Sequence, residues 1–239
     1  MMWVITFVRL SISMNSMRTT YRFLMYVLTL VFISGWAGCK PTPNGFEIRT
    51  GDILFRGAAD ANLSQAIDKV TQTGKATHFS HMGIAEVAPD GIYVLNSEPK
   101  HGVFRQPLDS FLHSDGEKSE VVAYRLKAPF RKFIPEAMKR AEQLLGQPYN
   151  YTYILPDTGY YCSEFVYTIF APDSVFKLNP MTFKNPKTGQ FDSTWVAHYQ
   201  KLDIAVPEGK PGCNPNGMAA SDKLERLGEV KLSNVKATN

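Results

Sequence analysis

A cysteine stands where an apolar helix pattern begins in GYYCSEFVYTIF, residues 159–170. Cysteine attacks a carbonyl carbon as a thiolate, so a nucleophilic cysteine needs surroundings that lower its pKa. A helix N-terminus supplies partial positive charge, and a neighbouring imidazole supplies a base or an ion-pair partner. Cys162 therefore has the position of a nucleophile, provided that the carboxylate of Glu164 in the first turn faces away from the sulfur.

The candidate base is His81, which opens the strand-like run HMGIAEV. Side chains alternate along a strand, so His81 shares a face with the small residues Gly83 and Ala85. A glycine inside a strand indicates that another group approaches closely there. We expect that group to be the thiol of Cys162, facing the imidazole across the strand–helix junction. Taken alone, His81 also fits an ordinary half-buried strand histidine.

A catalytic imidazole needs a third polar group that holds it in one tautomer. The runs on either side of residues 89–91, Pro-Asp-Gly, predict a hairpin whose second strand runs back past His81. Glu98, near the end of that strand, is the predicted orienting residue, because a carboxylate also stabilises an imidazolium. Asn96 and His101 are the alternatives.

Cys162 also has a structural interpretation. The chain contains three cysteines, and if Cys39 is modified at its sulfur, Cys213 remains as a disulfide partner in an oxidising compartment. Such a disulfide would make Cys162 inert and would leave the pattern around His81 unexplained. The catalytic interpretation is therefore favoured, and it requires neither a metal nor an organic cofactor.

The surrounding elements predict an α+β domain. A helix, a cluster of antiparallel strands and two further helices follow one another, rather than strands and helices in alternation. The predicted strands are 46–57, a hairpin at 78–98, and 119–126, and the predicted helices are 61–74, 107–114, 133–146 and one that begins near 162. Residues 172–195 are predicted to be a long loop with a helical end, and the Gly- and Pro-rich segment after 206 a surface segment or tail.

The N-terminus has the pattern of a secretory signal. Arg18 and Arg22 precede an apolar run at 23–36, whose 14 residues fall short of the roughly 20 needed to span a bilayer. Small residues then precede Cys39, and the sequence WAGC resembles a bacterial lipobox, in which the cysteine becomes the first mature residue and carries lipid. An uncleaved anchor, or an ordinary signal with an incidental cysteine, is the alternative, and Met17 is an alternative start.

These patterns predict a division of the chain into four parts. The predicted parts are a signal peptide at 1–38, a tether at 39–45 after lipidated Cys39, one folded domain at 46–225 and a flexible tail at 226–239.

The charge of the chain argues against a nucleic-acid partner. The formal net charge is +4, but residues 1–38 hold three arginines and no acid, so the remainder has 23 basic and 22 acidic residues. Nucleic-acid binding requires a basic face that displaces counterions, and this composition does not predict one.

Five segments occur in an order that resembles a known family. They are GDILFRG, SHMGIAEV, YVLNSEPKHGV, LLGQPYNYTY and YYCSEFVY. Together they resemble the circularly permuted NlpC-type, papain-like cysteine hydrolases of the YiiX-like branch, in which the strand histidine precedes the cysteine. The resemblance covers residues 46–225, including the segment PEGKPGCNPNGM.

The resemblance implies a permuted papain-like α+β fold, with an antiparallel central sheet or small barrel packed against helices. It implies that Cys162 is the nucleophile, His81 the general base and Glu98 the third polar residue. It also implies that Tyr149 lines the substrate groove, and we place Tyr161, at the other end of the same aromatic loop, with it as a substrate-binding residue.

The predicted function is that of a lipid-anchored cell-envelope cysteine hydrolase, an amidase or peptidase, with a cell-wall peptide as the first candidate substrate. The resemblance leaves a competing activity open, the hydrolysis or transfer of a lipid acyl group. A hypothesis of another class is a non-catalytic envelope lipoprotein that binds a ligand in the same cleft. The expected partners are the substrate and, through Cys39, a membrane.

Overall fold

The structure is a computed structural model that describes residues 45–57, 62–113 and 120–231 of the 239-residue chain. The predicted signal peptide at 1–38, the predicted lipidation site Cys39 and most of the predicted tether lie outside the described residues. All elements below belong to one compact unit that the chain forms from Asn44 onward.

The described strands are β1 (Ile53–Gly57), β2 (Phe79–Ala88), β3 (Gly91–Glu98), β4 (Gly102–Pro107), β5 (Val121–Leu126), β6 (Asn179–Pro180), β7 (Pro211–Gly212) and β8 (Leu224–Glu229). The described α-helices are α1 (Asn62–Val70), α2 (Leu108–Leu112), α3 (Ile134–Gln143), α4 (Cys162–Phe170), α5 (Ser193–Lys201) and α6 (Pro215–Ala219). Short 3₁₀ helices occur at Ala128–Phe133 and Ala171–Asp173.

Six of these strands form one antiparallel sheet in the order β4-β3-β2-β1-β5-β8, and β6 pairs with β7 separately. Helices and an antiparallel sheet thus make an α+β fold, as the sequence predicts. Alternation along the strands divides the core in two. Ile53 and Phe55 of β1 face the larger core with α3 and α4, whereas Leu54 faces the smaller core with α2.

The central hairpin opens at one end, and we call this opening the fork. Strands β2 and β3 pair from the turn only as far as Gly83 opposite Asn96. Beyond that point β2 continues beside β1 and β3 continues beside β4, to Glu98 opposite Gly102. The chain before α4 enters here, since Ser97 Oγ donates to the Tyr160 carbonyl at 2.6 Å. The fork therefore places the start of α4 between two diverging strands.

Gly83 is required by close strand packing and not by an incoming thiol. A Cβ at this position would lie 2.6 Å from Val94 Cγ1 and 2.8 Å from the Leu95 carbonyl oxygen. The sequence-based expectation that Cys162 fills the space beside Gly83 is therefore wrong, because β3 occupies it.

The C-terminal part is more ordered than the sequence predicts. The predicted flexible tail begins at residue 226, yet β8 continues to Glu229 and pairs with β5. Leu224 at its start and Val230, the residue just after its end, are buried, so β8 completes the core beside β5. Residues 232–239 lie outside the described chain. The Gly- and Pro-rich segment after 206 also contributes buried residues, among them Cys213 and Asn216.

Candidate active site

Helix α4 begins at Cys162, as the sequence predicts. Tyr161 has extended backbone angles, and its N–H donates to Glu164 Oε2 at 3.2 Å. Asn150 Nδ2 donates to the same oxygen at 3.1 Å. Glu164 is therefore used as a cap of the helix, and burial raises its pKa to about 7, although the two hydrogen bonds oppose this shift.

The Cys162 sulfur lies at the fork. Its hydrogen-bonding neighbours are the backbone N–H groups of Met82 and Ser163, which favour the thiolate, as does the charge of Arg56. Burial outweighs them and raises the pKa of the thiol to about 11. Cys162 is 6% exposed, so in this state it is a neutral thiol at the N-terminus of a helix.

The imidazole of His81 is held by β3. Its Nε2 donates to Asn96 Oδ1 at 3.0 Å, and Asn96 Nδ2 points to the Val94 carbonyl at 3.5 Å. A proton on Nε2 leaves Nδ1 as the acceptor of the ring. Burial lowers the pKa of His81 well below its usual value, Arg56 lowers it further, and the Asn96 bond raises it. The imidazole is therefore neutral, with its basic nitrogen free of the Asn96 bond.

Asn96, and not Glu98, is the direct partner of His81. Glu98 Oε1 is 3.4 Å from His81 Nε2, but it is also 3.5 Å from Arg56 Nη2. The predicted orienting residue is thus beside the imidazole and shared with a buried cation. The other alternative, His101, is exposed and packs on Phe104, so it takes no part in this arrangement.

The thiol and the imidazole meet the fork from opposite faces of the sheet. The His81 ring packs against Phe111 of α2, with 5.6 Å between ring centroids, whereas Cys162 belongs to the core on the α4 side. The sulfur nevertheless contacts the N–H of Met82, the residue after His81. No hydrogen bond joins the two side chains, both of which the structure describes, so the predicted direct contact is replaced by adjacency at the fork.

An apolar cavity of about 280 Å³ opens beside Cys162. Most of its surface is apolar and comes from residues such as Ile67, Val70, Tyr153, Tyr161, Met181, Phe183 and Trp195. Polar side chains also line it, namely Thr71, Gln72, Thr73, Ser80, Ser163, Asn179, Thr182 and Asn214. The two predicted substrate-binding tyrosines differ here. Tyr161 lines the cavity, whereas Tyr149 is not among its lining residues, and its hydroxyl is 3.1 Å from that of Tyr153.

Cys162 and Cys213 are both free thiols, so the disulfide interpretation does not describe this structure. They share the wall of the cavity. The backbone of Cys213 is bonded to the start of α4, because Ser163 Oγ donates to its carbonyl at 3.1 Å and its N–H donates to the Tyr161 hydroxyl at 3.3 Å. This segment thus helps to hold the start of α4.

Residues 47–228 match the model of a family described as permuted papain-like amidase enzymes, YaeF/YiiX, the C92 family. The chain belongs to this amidase family. A relative of this chain, the uncharacterized protein YiiX of Escherichia coli strain K12, is 28% identical over 126 residues. Those residues cover 52% of this chain and 58% of the relative, so the match spans little more than half of either chain.

The fold of this chain is also found in a solved structure. A crystal structure described as the metalloprotein YiiX from Escherichia coli O157:H7 superposes with a TM-score of 0.63 at 20% identity, and the match covers 77% of this chain and 99% of that one. Within residues 45–57, 62–113 and 120–231, no three His, Cys, Asp or Glu side chains are grouped as metal ligands. In the same part of the chain, no helix has the length and apolar character of a membrane span.

Arg56 is the residue of the amidase site that sequence reasoning missed. It ends the run GDILFRG in a position opposite His81 on the neighbouring strand. The available signal was a cation inside an otherwise apolar strand, and a buried cation requires a partner. The partner is Glu98, which comes close only after β1, β2 and β3 have assembled.

Proposed function

We propose that this amidase cleaves its amide with Cys162 as nucleophile, His81 as general base and Asn96 as the residue that orients the imidazole. The geometry of the fork is the main support for this proposal. It presents a thiol at a helix N-terminus, against the N–H of Met82 and beside a neutral imidazole whose Nε2 is bonded to Asn96. A neutral thiol and a neutral imidazole suit general-base activation rather than a resting ion pair.

In the proposed reaction, His81 Nδ1 accepts the thiol proton while the sulfur attacks the carbonyl carbon. The proton then passes to the leaving amine, the C–N bond breaks, and a thioester to Cys162 remains. Water attacks the thioester and regenerates the thiol. The N–H of Cys162, at the start of α4, is the expected donor to the oxyanion. Hydrogen bonds between a base and its nucleophile are often absent without substrate and form in the complex, so we expect His81 and Cys162 to come within hydrogen-bond distance only when substrate is bound.

The cavity beside the thiol favours an apolar acyl group in the substrate. Most of its surface is apolar, and its polar lining residues carry hydroxyl and amide groups without charge. A cell-wall peptide carries carboxylates that would lose water on entry, and the lining residues include no cation to pair with them. An amide of a fatty acyl group therefore fits the cavity better than the first candidate of the sequence analysis.

A substrate panel tests this proposal. Purified protein is assayed with acyl anilides of increasing chain length and with a digest of cell-wall peptides, alongside Cys162→Ala and the matched thiol variant Cys213→Ser. We expect hydrolysis of the longer acyl anilides by the wild type and by Cys213→Ser, but not by Cys162→Ala. Cleavage of the cell-wall peptides alone would restore the original substrate candidate. Binding without turnover by wild type and Cys162→Ala alike would favour a ligand-binding protein.

We also propose that the protein is anchored in the cell envelope through Cys39. The support is the sequence alone, with Arg18 and Arg22, the apolar run 23–36 and the small residues before Cys39. Several acyl chains on one cysteine would anchor the protein stably. Intact mass and membrane partition of Cys39→Ser protein test this, because unchanged mass and partition would exclude lipidation at this residue.

A further inference from the structure

The Arg56 side chain is buried next to His81 and Glu98. The two residues are direct partners across β1 and β2, and the Arg56 side chain is 7% exposed. Its Nη1 donates to the Phe111 carbonyl at 3.2 Å, and its guanidinium carbon lies 5.1 Å from the Phe111 ring centroid. Arg56, His81 and Glu98 are therefore packed in one place, against α2.

Glu98 lies between the guanidinium and the imidazole. Its Oε1 is 3.5 Å from Arg56 Nη2 and 3.4 Å from His81 Nε2. Asn96 already fixes the tautomer of His81 through a shorter hydrogen bond, at 3.0 Å. An ionised carboxylate beside Nε2 would stabilise the imidazolium, which cannot accept a proton from a thiol. Glu98 would thus oppose the base function of His81 if no cation offset its charge.

We propose that Arg56 is a positioning residue that pairs with Glu98 and thereby keeps His81 as a neutral base at the fork. This inference rests on the proposed function for its consequence in catalysis, but the charge pairing is a property of the free protein. Removing one member of a buried ion pair leaves an uncompensated charge, whereas removing both is often close to neutral. Removing Arg56 or Glu98 alone should therefore shift the pKa of His81 more than removing both residues together.

The groups that face His81 from each packed element are few. Strand β1 contributes Arg56, and β3 contributes Glu98 and Asn96, whereas the Cys162 thiol of α4 belongs to the core on the other face of the sheet. From α2 the ring meets Phe111, which is uncharged. Helix α1 also packs on β2, but its Asp68 pairs with His78, and α6 carries no charged residue. In the intact site, burial and Arg56 both lower the pKa of His81.

The test is a titration of His81 by imidazole NMR in protein with labelled histidine, with the resonance assigned by its loss in His81→Ala. Arg56→Met leaves Glu98 unbalanced, so we expect the midpoint to rise by about one pH unit or more. Arg56→Met/Glu98→Gln removes both charges, and we expect it to titrate within a few tenths of a unit of wild type. Arg56→Lys keeps the cation and should also stay near wild type.

The acid limb of kcat/KM on the acyl anilide should follow the same order, with Arg56→Met losing activity at low pH and recovering it as pH rises. An unmoved midpoint in Arg56→Met, or an equal rise in the double variant, would overturn the inference. If Arg56→Met does not fold, the double variant decides: folding with a wild-type titration supports charge pairing, and failure to fold overturns it. Because the titration uses no substrate, its result is separate from the loss of activity in Cys162→Ala, which tests the proposed function.

Discussion

The two faces of the sheet at the fork surround their reactive groups differently. On the α4 side, Cys162 lies among aromatic and aliphatic side chains at the wall of an apolar cavity. On the α2 side, His81 lies among Arg56, Asn96 and Glu98. Burial has opposite effects on the two pKa values, raising that of the thiol and lowering that of the imidazole, so both groups are neutral. We infer that the apolar face selects the acyl group and the polar face controls the proton.

The largest expected effect comes from removing either reactive group. Cys162→Ala and His81→Ala should each lower kcat by about a thousandfold or more, because each removes a group that the proposed reaction requires. Residues that act as one unit have losses that do not add, so the double variant should be no worse than either single variant. Steady-state kinetics on the acyl anilide measure this, with Cys213→Ser as the control, which should keep most of its activity. A double variant that is much worse than both singles would mean that the two faces act independently.

A second prediction distinguishes Asn96 from Glu98 as the residue that orients the imidazole. Asn96→Ala removes the 3.0 Å bond to His81 Nε2, and we expect kcat to fall by about a hundredfold at every pH, within the range for a lost general base contribution. Glu98→Gln keeps a side chain of the same shape, so the plateau of kcat should stay within about fivefold of wild type. pH-rate profiles of both variants measure the difference. Equal losses of the plateau would return Glu98 to the role that the sequence predicts.

Much of the polar face could not be read from the sequence. The hairpin, its turn and the approach of its second strand to His81 follow from alternation and from residues 89–91. Asn96 and Glu98 are two residues apart and share a face of β3, so the choice between them depends on where pairing of β2 and β3 stops. That end point is set by the chain before α4, which contacts Ser97, and this is a tertiary contact without a local signal.

The apolar face was predicted in part. The start of α4 at Cys162 follows from the glycine and tyrosines before it and the apolar stripe after it, and the helix begins there. Tyr161 lines the cavity, whereas Tyr149 is not among its lining residues and has its hydroxyl beside that of Tyr153. The remaining wall comes from residues around 67–73, 179–183 and 213–217. These segments are far apart in the chain and have no common periodicity, so only the fold brings them together.

Narrowing the cavity of the apolar face should have a smaller effect on kcat/KM, and this effect should depend on the chain length of the substrate. Met181→Trp should narrow the cavity and lower kcat/KM for long acyl anilides by about tenfold, while short ones are unaffected, because a hydrophobic pocket discriminates chain length by a few kcal/mol at most. The matched control is Ile204→Trp, at a residue that is 38% exposed and does not line the cavity. Ratios of kcat/KM for long and short substrates measure the change. A uniform loss with all chain lengths would mean that the acyl group lies elsewhere.

The smallest effect compares the buried carboxylates of the two faces. Glu98 has Arg56 as a counter-ion, whereas Glu164 has only the helix start, the Tyr161 N–H and Asn150. Burial raises the pKa of Glu164 to about 7, against an ordinary value of about 4.3. Between these pH values Glu164 binds more protons in the folded protein than in the unfolded chain. The stability that Glu164 contributes is therefore fully present below about pH 4.3 and is lost as pH rises through about 7.

We therefore expect the free energy of unfolding to decrease by about 2 to 3 kcal/mol between pH 5 and pH 8.5 through Glu164. Glu164→Gln keeps an oxygen that accepts from the Tyr161 N–H but cannot ionise, so its stability should depend less on pH by that amount. Urea unfolding at the two pH values measures both proteins. Glu136→Gln in the first turn of α3 is the control, because Lys139 lowers the pKa of Glu136 and its titration falls below this window. The same slope in wild type and Glu164→Gln would mean that Glu164 is compensated by a charge, as Glu98 is on the other face.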